Sequence, residues 1–184
     1  GVGISQSRGL LYFPMSPRPY NPDGPVGYFI TFRCYGTYFH GDERGSVDRK
    51  RNAAGQPKLA TSEQLVDFER ERLTQPPTKL TTPMRIVVQK AIEEVRNHKS
   101  WGIHALNIRT NHVHIVVTAK EEPPEKVMGT FKAYATRALR RAGFIAQDRK
   151  VWSRHGSTLY IWNDDELARA CGYVLEEQDD PVKD

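Results

Sequence analysis

The segment "WGIHALNIRTNHVHIVV", residues 101 to 117, constrains the fold of this chain more than any other. It reads as two strands joined by a short turn at Thr110 and Asn111, a β-hairpin, and it is bracketed by two amphipathic helices. Upstream, Thr82 is a plausible N-cap with Pro83 at the first helical position, and Met84, Val87, Val88, Ala91, Ile92 and Val95 recur at steps of three and four. Downstream, Pro123 and Pro124 open a helix that runs to Gly143, with Val127, Phe131, Ala135, Ala138 and Ala142 on its apolar side. Each helix needs a sheet to cover its stripe. "YFITFRCYG", 28 to 36, supplies a strand before the first helix, with Phe29, Thr31, Arg33 and Tyr35 on one face. "VWSRHGSTLYIW", 151 to 162, supplies one after the second, with a break expected at Gly156. Asn163 then caps a last helix whose first turn is Asp164, Asp165 and Glu166. The βαββαβ order specifies an α+β fold of ferredoxin-like type, an antiparallel sheet with two helices on one face and the other face left free, plus a C-terminal helix.

At 184 residues and 38% hydrophobic content the chain suits one globular domain, expected over 27–180. Residues 1–26, rich in Pro and Gly, read as a flexible arm, and about 37–80 as a long polar loop. No membrane-length apolar stretch and no secretory leader appears, so a soluble, cytoplasmic protein is expected. Cys34 and Cys171 lack the spacing of a metal knuckle and read as ordinary small packing residues. The net charge of +5 makes a polyanionic partner more plausible without requiring one. Lys126, Arg137, Arg140 and Arg141 fall within roughly 100° of one another on the second helix, a stripe suited to a phosphate backbone or simply to solvent. Lys132 on the same helix is a further candidate for DNA contact.

In "NHVHIVV" the alternation of strand side chains sends His112 and His114 one way and Val113, Ile115 and Val117 the other. Two neutral imidazoles converging above a sheet are suited to a divalent metal and leave room for a third ligand and a substrate.

"TNHVHIVV", "GTFKAYATRAL", "WSRHGSTLYIW" and "GYVLEEQ", in this order, resemble the single-tyrosine HUH transposases of the IS200-like class, including the REP-associated tyrosine transposases. The resemblance covers roughly residues 27 to 180. It implies a metal-dependent endonuclease and strand transferase, using Mg²⁺ or Mn²⁺, that acts on single-stranded DNA at hairpins as a homodimer. His112 and His114 match the family's histidine pair and Tyr173 its nucleophile. The family places a glutamine ligand one helical turn after the tyrosine. Here Glu177 stands at i+4, on the tyrosine's face, whereas Gln178 at i+5 is rotated about 140° away; Glu177 is favoured, with Gln178 as the alternative if the last turn is irregular.

Tyr134 and Tyr160 are competing nucleophiles that packing explains, and His40, His104 and His155 are uncommitted. Two other classes of function stay open. One is a catalytically inactive or domesticated single-stranded nucleic-acid-binding module, stacking bases on Tyr28, Phe32 or Tyr38. The other is a metallohydrolase in which the histidines activate water, which requires further ligands near the pair.

Overall fold

The computed structural model describes residues 24–38, 67 and 70–176. Residues 1–23 of the arm expected over 1–26, the middle of the long loop, and both Glu177 and Gln178 lie outside the described residues.

Strands β1 (Gly27–Cys34), β2 (Gly102–Ile108), β3 (His112–Thr118) and β4 (Trp152–Ile161) form one antiparallel sheet in the order β2-β3-β1-β4. Helices α1 (Thr82–Lys99) and α2 (Pro124–Arg141) make the crossovers, and α3 (Asp164–Glu176) follows β4. This is the α+β, ferredoxin-like arrangement expected from the hairpin between two helices.

Strand alternation sorts the residues into two cores. Tyr28, Ile30, Phe32 and Cys34 of β1 and Val113, Ile115 and Val117 of β3 point to one side. There they meet Met84, Val88, Ile92 and Val95 from α1 and Val127, Met128, Phe131, Ala135 and Leu139 from α2. Burial of a side chain such as Phe131 contributes on the order of 1.5–3 kcal/mol, so this side carries most of the fold's hydrophobic stabilisation. On the other side Phe29, Ala105, Val116 and Ile161 pack against Ala170 and Val174 of α3. The second face is therefore not left free: the terminal helix covers part of it, because Leu167, Ala170, Cys171 and Val174 form a stripe that only a sheet can bury.

Three local expectations change. The N-cap of α1 is Thr81, with Thr82 already helical. Strand β4 is not broken at Gly156 but bulged just before it: Phe32 pairs with Gly156 and Cys34 with Trp152, so Ser153, Arg154 and His155 stand against Arg33 alone. The end of the long loop belongs to the core. Leu80 is fully buried and donates its N–H to the Thr110 carbonyl at 2.7 Å, and Thr78 N–H reaches the Tyr35 carbonyl at 2.9 Å. Tyr28 and Phe32 are also buried in the helix-side core, which removes them as base-stacking platforms.

Candidate active site

The antiparallel register puts residues far apart in sequence side by side on the face shared with α3. Asn107 of β2 and Thr31 of β1 are both Cα partners of His114, and Arg33 is the partner of His112. Arg109, two residues beyond Asn107, takes the same side and is buried.

Each imidazole is oriented through its Nδ1. His114 Nδ1 lies 2.7 Å from Thr31 Oγ1, and His112 Nδ1 lies 2.6 Å from Asn111 Oδ1. The Asn111 carbonyl oxygen can only accept, so His112 Nδ1 carries the hydrogen and Nε2 the lone pair. The same tautomer at His114, donating to the Thr31 hydroxyl, again leaves Nε2 as the basic nitrogen. The two rings are 4.5 Å apart between centroids at an interplanar angle of 73°. Burial, with the Arg33 and Arg109 guanidiniums adding to it, pushes the His114 pKa down to about 4. At neutral pH that ring is uncharged and keeps its lone pair, as a metal ligand must. The donor set thus fits a borderline divalent cation. Among the described residues no third His, Cys, Asp or Glu joins the pair, and the two expected oxygen ligands, Glu177 and Gln178, fall beyond them.

Tyr173 reaches this place because α3 is fixed at its start and docked along its apolar stripe. Asn163 Oδ1 accepts the Glu166 N–H at 2.9 Å while Glu166 Oε2 accepts the Trp162 N–H at 2.8 Å, a reciprocal cap. Further along, Asn107 Nδ2 donates to the Val174 carbonyl at 3.0 Å. The half-buried Tyr173 ring then stands edge-on to Phe29 at 5.9 Å and to His114 at 6.0 Å between centroids. A phenol, two imidazoles and two cationic side chains share one side of the sheet.

The competing tyrosines are elsewhere. Tyr160 packs edge-on against Tyr28 and stacks on Trp162, and Tyr134 lies under the Arg137 guanidinium on α2; both are on the α1/α2 side. His104 bonds Thr118 at the β2 edge, and the exposed His155 sits in the β4 bulge.

The basic residues of α2 divide. Arg137 and Arg141 are exposed, Lys126 is exposed and ion-paired with Glu122, and Arg140 is half-buried and donates to the Arg149 carbonyl at 3.4 Å. Lys132 does not join them. It turns toward the sheet, where its Nζ donates to the Ser153 and His155 carbonyls of the bulge at 2.9 and 3.3 Å, and burial lowers its pKa. The whole stripe lies across the sheet from the histidines, since α2 packs on the opposite face.

Thr31, Arg33, Asn107 and Arg109 escaped the sequence reading as site residues. Alternation places Thr31 and Arg33 on one face, but no local signal says which strands flank the histidines.

A family model described as IS200-like transposase matches residues 77–174, more than half of the chain, a span that includes His112, His114 and Tyr173. No curated protein matches. Among solved structures, a REP-associated tyrosine transposase bound to a REP hairpin is similar with a TM-score of 0.48 and 12% identity, over 82% of this chain and 65% of that one. This chain therefore spans just under two thirds of that protein. A proposed transposase from Deinococcus radiodurans R1 is similar with a TM-score of 0.43 and 11% identity, over 94% of this chain and 96% of the other. With the family model covering both the histidine strand and the tyrosine helix, the chain belongs to the IS200-like transposase family.

Proposed function

We propose that this protein is a metal-dependent single-stranded DNA endonuclease and strand transferase that works through a 5′-phosphotyrosine intermediate. The observation that carries this reading is the convergence of His112, His114 and Tyr173 on one face of the sheet. Hairpin-bearing DNA as substrate and a homodimer as working unit come with the family and are part of the proposal.

His112 and His114 would hold a divalent cation, Mg²⁺ or Mn²⁺, through their Nε2 atoms, with Glu177 or Gln178 as the oxygen ligand. Bound there, the cation supplies charge neutralisation at the phosphate oxygens and at the departing 3′-oxygen. Asn111 keeps His112 in the ligating tautomer, and the Thr31 hydroxyl orients the His114 ring and can accept from its Nδ1 in the same tautomer. Arg33 and Arg109 border the pair with permanent positive charge, which favours a phosphodiester beside it. Tyr173 Oη gives up its proton and attacks phosphorus. The Oη–P bond forms as the P–O3′ bond breaks, and the freed 3′-oxygen takes up a proton. The 5′-phosphate stays on the enzyme as a tyrosyl ester. Attack by a different 3′-hydroxyl reverses the step, so the number of phosphate ester bonds is conserved and strand transfer needs no external energy source.

The test is covalency. Incubated with Mn²⁺ and a hairpin oligonucleotide, the parent protein leaves a denaturation-resistant adduct on the 5′ end of the cut strand. Tyr173→Phe, which removes one oxygen and keeps the ring's contacts with Phe29 and His114, forms no adduct but retains the hairpin gel shift. An adduct of parental yield in Tyr173→Phe refutes the assignment.

A further inference from the structure

We propose that Asn107 is a positioning residue for Tyr173, a latch that holds the tyrosine-bearing end of α3 against the histidine strand. The proposal rests on the reading of Tyr173 as nucleophile.

Asn107 stands in β2 as the Cα partner of His114, and its amide reaches across to α3 rather than along the sheet, donating to the Val174 carbonyl at 3.0 Å. That carbonyl belongs to the residue next to Tyr173. One side chain thus ties the backbone beside the phenol directly to the strand position beside the second histidine.

The apolar part of the attachment is weak in direction. Only Ala170 and Val174 are buried among the described residues of α3, against five buried residues in α1. An apolar seat of that size holds a helix down without specifying its tilt, because hydrophobic contact is non-directional. The start of α3 is pinned by the cap bonds from Glu166 N–H to Asn163 and from Trp162 N–H to Glu166. The rise from there to Tyr173, at about 1.5 Å per residue, is roughly 15 Å, so a tilt of about 10° carries the tyrosine about 2.6 Å. In-line attack tolerates far less, since a misplacement of about 1 Å can cost on the order of a hundredfold in rate. The amide-to-carbonyl bond is a directional contact that limits this freedom.

Three variants test it. Asn107→Ala deletes the donor. Asn107→Asp keeps the shape but presents an oxygen to the Val174 carbonyl. Asn107→Gln keeps an amide donor on a longer stem. Single-turnover cleavage of a hairpin oligonucleotide, its dissociation constant and backbone hydrogen exchange are measured for each on the full chain. For Ala and Asp the cleavage rate falls by about 10- to 100-fold with DNA affinity unchanged. The amides of residues 170–176 lose protection while those of β1 and β3 keep it. Gln restores part of both. Parental rate together with parental protection of α3 overturns the latch. So does a loss of protection spread evenly over the sheet, which marks a merely structural asparagine. Hydrogen exchange reads the helix independently of chemistry, so an adduct persisting in Tyr173→Phe would sink the nucleophile assignment and leave the exchange result to judge the latch.

Discussion

Gly156 links the two faces of the sheet, and replacing it with alanine is a demanding test of the packing described above. It pairs with Phe32 beside the β4 bulge and lies under α2. A Cβ there would stand 2.5 Å from the Thr31 carbonyl oxygen and closer still to the Met128 sulfur. The sulfur ends a flexible side chain and can rotate away. The carbonyl cannot, because Thr31 belongs to the central strand and is paired on both sides, with His114 and with Ser157. Bringing that contact to an ordinary separation of about 3.4 Å requires roughly 0.9 Å of movement, which in a packed interior costs on the order of 1–3 kcal/mol. For a domain of this size that corresponds to a fall in Tm of about 2–4 °C per kcal/mol. The strain also reaches the site, since Thr31 Oγ1 is the partner of His114 Nδ1. Gly156→Ala is therefore expected to lower denaturant stability by at least about 1 kcal/mol and to raise the metal concentration needed for cutting. A double-mutant cycle with Met128→Ala separates the two clashes. If the carbonyl dominates, most of the Gly156→Ala cost persists without the thioether. A cost below about 0.5 kcal/mol, or one that vanishes in the Met128→Ala background, refutes the reasoning.

Changing His112 or His114 to Ala should raise the Mn²⁺ requirement for cleavage at least about tenfold, roughly 1.4 kcal/mol, and the same titration of Glu177→Ala and Gln178→Ala identifies the oxygen ligand; no change in either histidine variant excludes a metal shared by the pair. Replacing Arg137, Arg140 and Arg141 with Ala should weaken DNA binding for all sequences alike and flatten its salt dependence by about 0.7 per lost contact, while cleavage of bound DNA stays parental because the stripe lies across the sheet from the histidines; an unchanged slope makes it a solvated face. Without metal, stability should fall as pH drops from 6.5 toward about 4, because the unfolded chain takes up a proton that buried His114 resists. This contribution is complete above pH 6.5 and is on the order of 3 kcal/mol; a His114→Gln variant with the parental pH dependence contradicts it.

Much of the architecture is a property of local pattern. The 3.6 and 2 periodicities, the turn at Thr110 and Asn111, and the Asn163 cap specified helices, strands and their order, since each depends on residues a few positions apart. The same alternation put His112 and His114 on one side of their strand. What joins distant segments was settled only by the tertiary structure. Thr31 and His114 are 83 residues apart, and their hydrogen bond exists because β1 lies beside β3 in a register that the wider packing selects. Likewise, helical spacing shows that α3 has an apolar stripe, but which sheet face buries it depends on α1 and α2 already occupying the other. Lys132 is the plainest case. Its position on α2 suits a phosphate as well as a carbonyl, and the β4 bulge, a feature of strand pairing, supplies the carbonyls that turn it inward. Periodicity is written along the chain, whereas register and the choice of sheet face are decided by burying all the apolar surfaces at once.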